Sequence, residues 1–259
     1  MNKVIVYISV LLALFSFCVI ADSGKYVCYT IEEEDKAVLS EQPECQGELV
    51  FKFYDDYYGL LYRLSQDLPI TSSDMQKSRY YLFPDSEYDG WWDMFCVNRV
   101  KTGEPVITHN LIGPASYDEI PWAMGRVQDG EELLESIGVS AHILDVFCVI
   151  YLPQSHRRQA IYYVTDNGDY ILFNRYGGNE YLVPLETARE IAKEYVSHFP
   201  ERGAGGDGNL EDIYDLSPYI VKERSSRLIP AVIIAACLSL IALLAFVLLK
   251  KRSKTKTQP

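Results

Sequence analysis

Gln159-Ala160-Ile161-Tyr162-Tyr163-Val164-Thr165-Asp166-Asn167-Gly168-Asp169-Tyr170-Ile171-Leu172-Phe173-Asn174 is the stretch that decides the fold class. Two runs rich in β-branched and aromatic residues flank a four-residue polar break. Asn-Gly between such runs is the strongest short-range hairpin signal, because the tightest turn places both of its central residues at positive φ. The expectation is an antiparallel pair, residues 159–165 against residues 170–174.

Working outward, Arg175 to Asn179 reads as a turn and Tyr181-Leu182-Val183 as a short strand. Residues 185–199 then carry Ala188, Ile191, Ala192, Tyr195, Val196 and Phe199 on one face at steps of three and four, which predicts a helix. Pro184 suits its first turn, Glu186 suits the positive end of its dipole, and Pro200 ends it. Upstream, residues 142–152 are β-rich, and residues 153–158 form a polar connection. Residues 130–137 predict a short acidic helix closed by Gly138. Residues 113–128, with Pro114, Pro121 and Trp122, read as irregular. Residues 92–100 and 106–111 predict a hairpin around Lys101-Thr102-Gly103-Glu104-Pro105.

Nearer the N-terminus, residues 57–68 show helical spacing at Tyr57, Leu60, Leu61, Leu64 and Leu68, stopped by Pro69. Residues 48–54 alternate like a strand, residues 26–34 begin as a strand and end in an acidic run, and residues 71–77 read as a loop. Hairpins with helices between them predict an α+β domain: a mostly antiparallel sheet with one or two helices packed on one face.

Both ends of the chain place that domain outside a membrane. Residues 1–21 read as a secretory signal peptide, with Lys3 ahead of an apolar run and a small residue, Ala21, at the cleavage edge. From Leu228 to Leu249, 22 residues carry no charge. At 1.5 Å per residue this makes a C-terminal transmembrane helix of roughly 33 Å, against a hydrocarbon core of about 30 Å. Lys250-Lys251-Arg252 and the rest of a ten-residue basic tail orient it, tail in the cytoplasm. Residues 22–202 form the expected extracytoplasmic domain, and residues 203–227 a Gly-rich linker and juxtamembrane stalk.

Between signal and span lie all 36 acidic residues and 18 of the 24 basic ones, so the external part is near −18. Such a surface repels nucleic acid and anionic lipid and tolerates cationic partners. It holds Cys28, Cys45, Cys96 and Cys148, an even count that predicts disulfides in a secreted domain. Of the three possible pairings, Cys28–Cys45 with Cys96–Cys148 is favoured, since it staples a short N-terminal loop and joins two strands.

Candidate chemistry is sparse. Asp166, Asn167 and Asp169 offer oxygen ligands, but the EF-hand pattern is missing and a hairpin turn accounts for them. No metal and no cofactor is therefore expected. Trp91 and Trp92 fall within an aromatic and acidic stretch suited to stacking on sugars or holding a cation, or to plain packing. His156-Arg157-Arg158 is the one cationic cluster on an expected loop and suits a carboxylate or phosphate. Nucleophile elbow, zinc-protease and phosphate-loop motifs are all missing. The sequence therefore predicts a membrane-anchored binding or interaction module for a protein, peptide or glycan, with no nucleic-acid partner. The alternatives are a tethered carboxylate-dependent hydrolase and a structural accessory subunit of a membrane complex.

Overall fold

The computed structural model describes residues 26–45, 47–71, 75, 78–98, 105–113, 117–151, 158–175, 178–198, 210 and 213–221. The expected signal peptide, transmembrane span and basic tail lie outside them. Among the described residues no helix is long and apolar enough to cross a membrane.

Among the described residues eight strands form one sheet: β1 (Phe51–Tyr54), β2 (Ser78–Pro84), β3 (Trp92–Asn98), β4 (Val106–Ile112), β5 (Ile143–Tyr151), β6 (Arg158–Thr165), β7 (Tyr170–Arg175) and β8 (Glu180–Pro184). Their spatial order is β4-β3-β2-β1-β5-β6-β7-β8. Every pairing is antiparallel except β1 with β5, which meet in parallel at Tyr54 and Val149. The sheet is thus two four-stranded meanders joined along one parallel seam. The α+β class with a mostly antiparallel sheet is as the sequence predicts.

The helices depart from expectation in number and placement. There are five among the described residues: α1 (Glu33–Ser40), α2 (Tyr57–Ser65), α3 (Glu119–Gln128), α4 (Gly130–Ser136) and α5 (Leu185–His198). They cover both faces of the sheet rather than one. On the first face, Ile120, Ala123 and Val127 of α3 and Leu133 and Leu134 of α4 pack with Phe51, Phe53, Val146, Cys148, Ile150, Ile161, Tyr163, Leu172 and Leu182. On the second, α2 and α5 close over Tyr54, Phe147, Val149, Ala160, Tyr162, Ile171, Phe173 and Val183, through Leu60, Leu61, Leu64, Ala188, Ile191 and Tyr195. Beside them α1 sets Leu39 on Tyr81, Phe83, Phe95 and Val97. The near-continuous apolar runs of β5 to β7 are what strands covered on both faces require.

Three segments differ from the sequence reading for identifiable reasons. Residues 26–34, expected to begin as a strand and end in an acidic run, instead form a 3-10 turn at Val27–Tyr29 and open the helix α1, where three acids in the first turn suit the positive end of the helix dipole. Residues 119–128 are the helix α3 although Pro121 lies inside them, because the third helical position has no intrahelical acceptor for its nitrogen to lose. Leu210, Leu216 and Ile220, expected in a stalk, pack against the second-face core. Ile220 bridges Tyr181, and the Val221 N–H donates to the Glu180 carbonyl at 2.8 Å, covering the β8 edge.

The decisive hairpin forms, but with Tyr163 opposite Tyr170, two residues from the Thr165–Tyr170 pairing that a two-residue Asn167-Gly168 turn sets; the even shift keeps each side chain on its face. Its turn is longer than the two-residue form: only Gly168 adopts positive φ, at 97°, and Asn167 does not. Side chains close the loop instead. Asp169 accepts the Thr165 N–H (3.3 Å) and the Tyr162 hydroxyl (2.6 Å).

The centre of the sheet carries charge. Lys52, fully buried in β1, donates to Glu32 at 2.8 Å, and the Tyr54 hydroxyl donates to the same oxygen at 2.8 Å. Arg79 on β2 pairs with Glu34 and with Asp35 (2.8 Å), and Asp35 also accepts the Tyr81 hydroxyl at 2.6 Å. Burial pushes the Glu32 carboxyl up, but the Lys52 hydrogen bond and charge, with the Tyr54 hydroxyl, outweigh it and hold the group below the usual range.

Two outcomes follow for stability. Asp35→Ala leaves the buried Arg79 guanidinium with the more exposed Glu34 alone and the Tyr81 hydroxyl without its acceptor, and lowers the unfolding free energy by about 3 kcal/mol in a urea titration. Glu32 has a depressed folded-state pKa, so its contribution is present above the unfolded value and is lost as pH falls below about 4. Glu32→Gln therefore flattens the acid limb of a stability–pH profile, and an unchanged limb contradicts the assignment.

Candidate functional site

Strand alternation sorts the first face into rows. Ile161, Leu172 and Leu182 lie side by side in register and are apolar. Two residues further along, the next row is Gln159, Asn174 and Glu180, again in register and all polar. A polar row on an otherwise apolar face needs partners, since an unsatisfied buried polar group costs about 1–3 kcal/mol.

The first turn of α3 supplies the facing wall. Trp122 Nε1 donates to Glu180 Oε1 at 2.6 Å. One turn on, Arg126 reaches both oxygens of Glu180, Nη2 to Oε1 at 3.0 Å and Nε to Oε2 at 2.9 Å. Asn174 Nδ2 donates to Gln159 Oε1 at 3.0 Å, which fixes both amides. Between row and helix lies a cavity of about 250 Å³ lined by Asp118, Glu119, Trp122, Gln159, Asn174, Gly178 and Glu180. Glu119 is 2% exposed and Gln159 1%.

The charge balance of the cavity is negative. Asp118, Glu119 and Glu180 bring three carboxylates, Arg126 returns one positive charge at its rim, and the α3 N-terminus contributes roughly half a positive charge. The volume falls below the range of about 300–1,000 Å³ for drug-sized ligands, so it suits a side chain or a small molecule. Indole, amides and carboxylates together make a lining rich in acceptors. Among the described residues no group of three or more His, Cys, Asp or Glu has the geometry to hold a metal ion.

None of these lining residues stood out in the sequence. Asp118, Glu119 and Trp122 lie in the segment read as irregular, and Glu180 follows a turn. The available signal was the strand period itself: Gln159 and Asn174 are polar at positions where the two-residue alternation places the apolar face.

The residues singled out from sequence are dispersed. Trp91 precedes β3, is 40% exposed, and sits 5.7 Å from the Tyr88 ring on the β2–β3 turn. Trp92 begins β3 and packs half-buried against the first-face core. Both are on the opposite half of the sheet from the cavity. His156 and Arg157 lie outside the described residues. Arg158 belongs to β6 rather than to a loop: it is buried, donates to the Tyr195 hydroxyl at 3.0 Å and lies 5.6 Å from the Tyr58 ring centre.

Among the described residues no two cysteines are bonded in this structure, and its geometry bears on the expected pairs. Sheet order separates Cys96 from Cys148 by three strand spacings, β3 to β2 to β1 to β5. That is roughly 14 Å, twice the reach of a disulfide. Cys28 packs in the first-face core and Cys45 against the second, with the sheet between them.

Neither a protein-family model, nor a curated protein, nor a solved structure matches this chain significantly. The site therefore has to be argued from its own geometry.

The Glu180 hub predicts a measurable coupling. Glu180→Ala removes the acceptor shared by Trp122 and Arg126 and lowers the unfolding free energy by about 2 kcal/mol in thermal denaturation. A change under about 0.5 kcal/mol would mean the hub carries no weight.

Proposed function

We propose that this chain is a single-pass, membrane-anchored extracytoplasmic binding module, and that its cavity between α3 and the polar row receives a cationic group of a protein or peptide partner. The observation that carries this reading is the concentration of three carboxylates around one side-chain-sized cavity. An ammonium or guanidinium fits such a lining by charge-assisted hydrogen bonds, which are about twice as strong as neutral ones. The strongly acidic external part adds long-range attraction for the same class of partner. The signal-like N-terminus and the uncharged run at residues 228–249 support the location. The exposed Trp91–Tyr88 pair is a second contact surface for the same partner or for a glycan.

A carboxylate-dependent hydrolase draws on the same cavity, since Glu119 and Glu180 both line it. Against that reading, both Glu180 oxygens are engaged by Arg126 and Trp122. A structural accessory subunit rests on residues 228–249 alone, through Ser239 or the Ala235-Ala236 pair.

Titration of the full chain in detergent with arginine amide and with its uncharged counterpart, citrulline amide, separates these readings. The binding module prefers arginine amide, loses at least tenfold in affinity on Glu119→Gln, and weakens with added salt. Equal affinity for the two amides overturns the cation site. Release of nitrophenol from nitrophenyl glycosides by the wild type, abolished in Glu119→Gln, moves the assignment to a hydrolase.

A further inference from the structure

We propose that Cys28 and Cys148 join in a disulfide across the first face of the sheet, while Cys45 and Cys96 remain thiols. The proposal rests on the external location argued above, which supplies an oxidising compartment.

The sheet itself eliminates the other pairs. Cys45 packs on the second-face cluster with Leu39, Tyr81, Phe83, Phe95 and Val97, so the sheet lies between it and any first-face sulfur. Cys96 is directly across from Tyr80, whose ring stacks on Phe53 of the first face at 4.8 Å. That places Cys96 on the first face but three strands from Cys148, with the Tyr80–Phe53 stack standing between β3 and β5.

Cys28 and Cys148 are different. Cys28 sits in the 3-10 turn Val27–Tyr29, which packs against both β1 and β5. The Val27 N–H donates to Asp145 Oδ1 of β5 at 2.7 Å, and the Tyr29 ring meets Phe51 of β1 at 5.9 Å. The turn is thereby pinned over the seam where β1 meets β5, and Cys148 lies in the middle of β5 beside that seam. Both cysteines are fully buried in one core cluster. Burial pushes both thiols well up, with a smaller electrostatic contribution from Cys28 at Cys148.

The step is two thiol–disulfide exchanges with an external disulfide, R–S–S–R, of the kind a secretory oxidoreductase or oxidised glutathione provides. A thiolate at Cys28 attacks one sulfur of R–S–S–R, breaking that bond and releasing R–SH after protonation. The Cys148 thiolate then attacks the mixed disulfide, forming the Cys28–Cys148 bond and releasing a second R–SH. Two protein thiols are oxidised, one external disulfide is reduced, and the two thiol protons leave on the two R–SH. Since burial in the closed fold would hold either thiol undissociated, the exchange belongs to folding, before the turn closes over the seam. The bridge closes a loop of more than one hundred residues and ties the N-terminal turn to the central strand.

The test is refolding of the reduced full chain in a glutathione redox buffer, followed by alkylation under denaturing conditions, digestion and mass spectrometry. The expected result is a crosslinked peptide pair containing Cys28 and Cys148, with Cys45 and Cys96 alkylated. The oxidised protein also unfolds at a higher temperature than the reduced one, and this difference disappears in Cys28→Ser. Alkylation of Cys28 and Cys148, or a bridge that uses Cys45 or Cys96, overturns the proposal. The same mapping on chain isolated from its native membrane tests the location separately. A bridge in the refolded protein with free thiols in the isolated one supports the pairing and overturns the external location.

Discussion

The structure depends on burying one short strand on both sides. β1 is four residues long, wholly buried, and within the sheet it is the strand through which the first meander meets β5 of the second. Its parallel pairing with β5 is confined to Tyr54 and Val149, so backbone hydrogen bonds alone cannot hold the halves together. Side chains hold them. Phe51 and Phe53 anchor the first face; Lys52 and Tyr54 reach through the second to Glu32. A buried ammonium is tolerated because it is paired with a carboxylate that the Tyr54 hydroxyl also holds, and because it lies 5.5 Å from the centre of the Tyr54 ring. Burial draws the Lys52 pKa down, only partly countered by Glu32.

That arrangement also gives the fold its symmetry of plan. Two meanders with mirrored strand order and a parallel central pair are exchanged by a rotation about the strand direction. Such a rotation inverts the faces. The helix after β4 accordingly lies on the first face and the helix after β8 on the second. The polar row of β6, β7 and β8 therefore faces α3, a helix contributed by the other half of the chain. The cavity exists because the halves are joined this way.

Much of this was legible locally. The strands from β3 to β8 follow apolar runs, α2 and α5 follow their helical spacing, and the Gly138 stop at positive φ, 83°, is as read. What was hidden depends on distant partners. In α1 only Leu39 and Asp35 are buried, so it lacks an apolar stripe and is held by Lys52 and Arg79, 20 to 45 residues away. β2 interleaves Arg79 and Tyr81, whose partner Asp35 also belongs to α1. Pro121 masked α3. The cavity was hidden for the same reason, since its lining comes from four separated segments. Only the polar interruptions at Gln159 and Asn174 hinted at it.

The central claim is that the face between α3 and the polar row is a recognition surface for a cation. Hydrogen exchange followed by mass spectrometry on the full chain, with and without saturating arginine amide, tests it most directly. The account predicts slowed exchange confined to the α3 first turn and the β7–β8 connection, near residues 118–122 and 174–180. Protection elsewhere, or none, would contradict it.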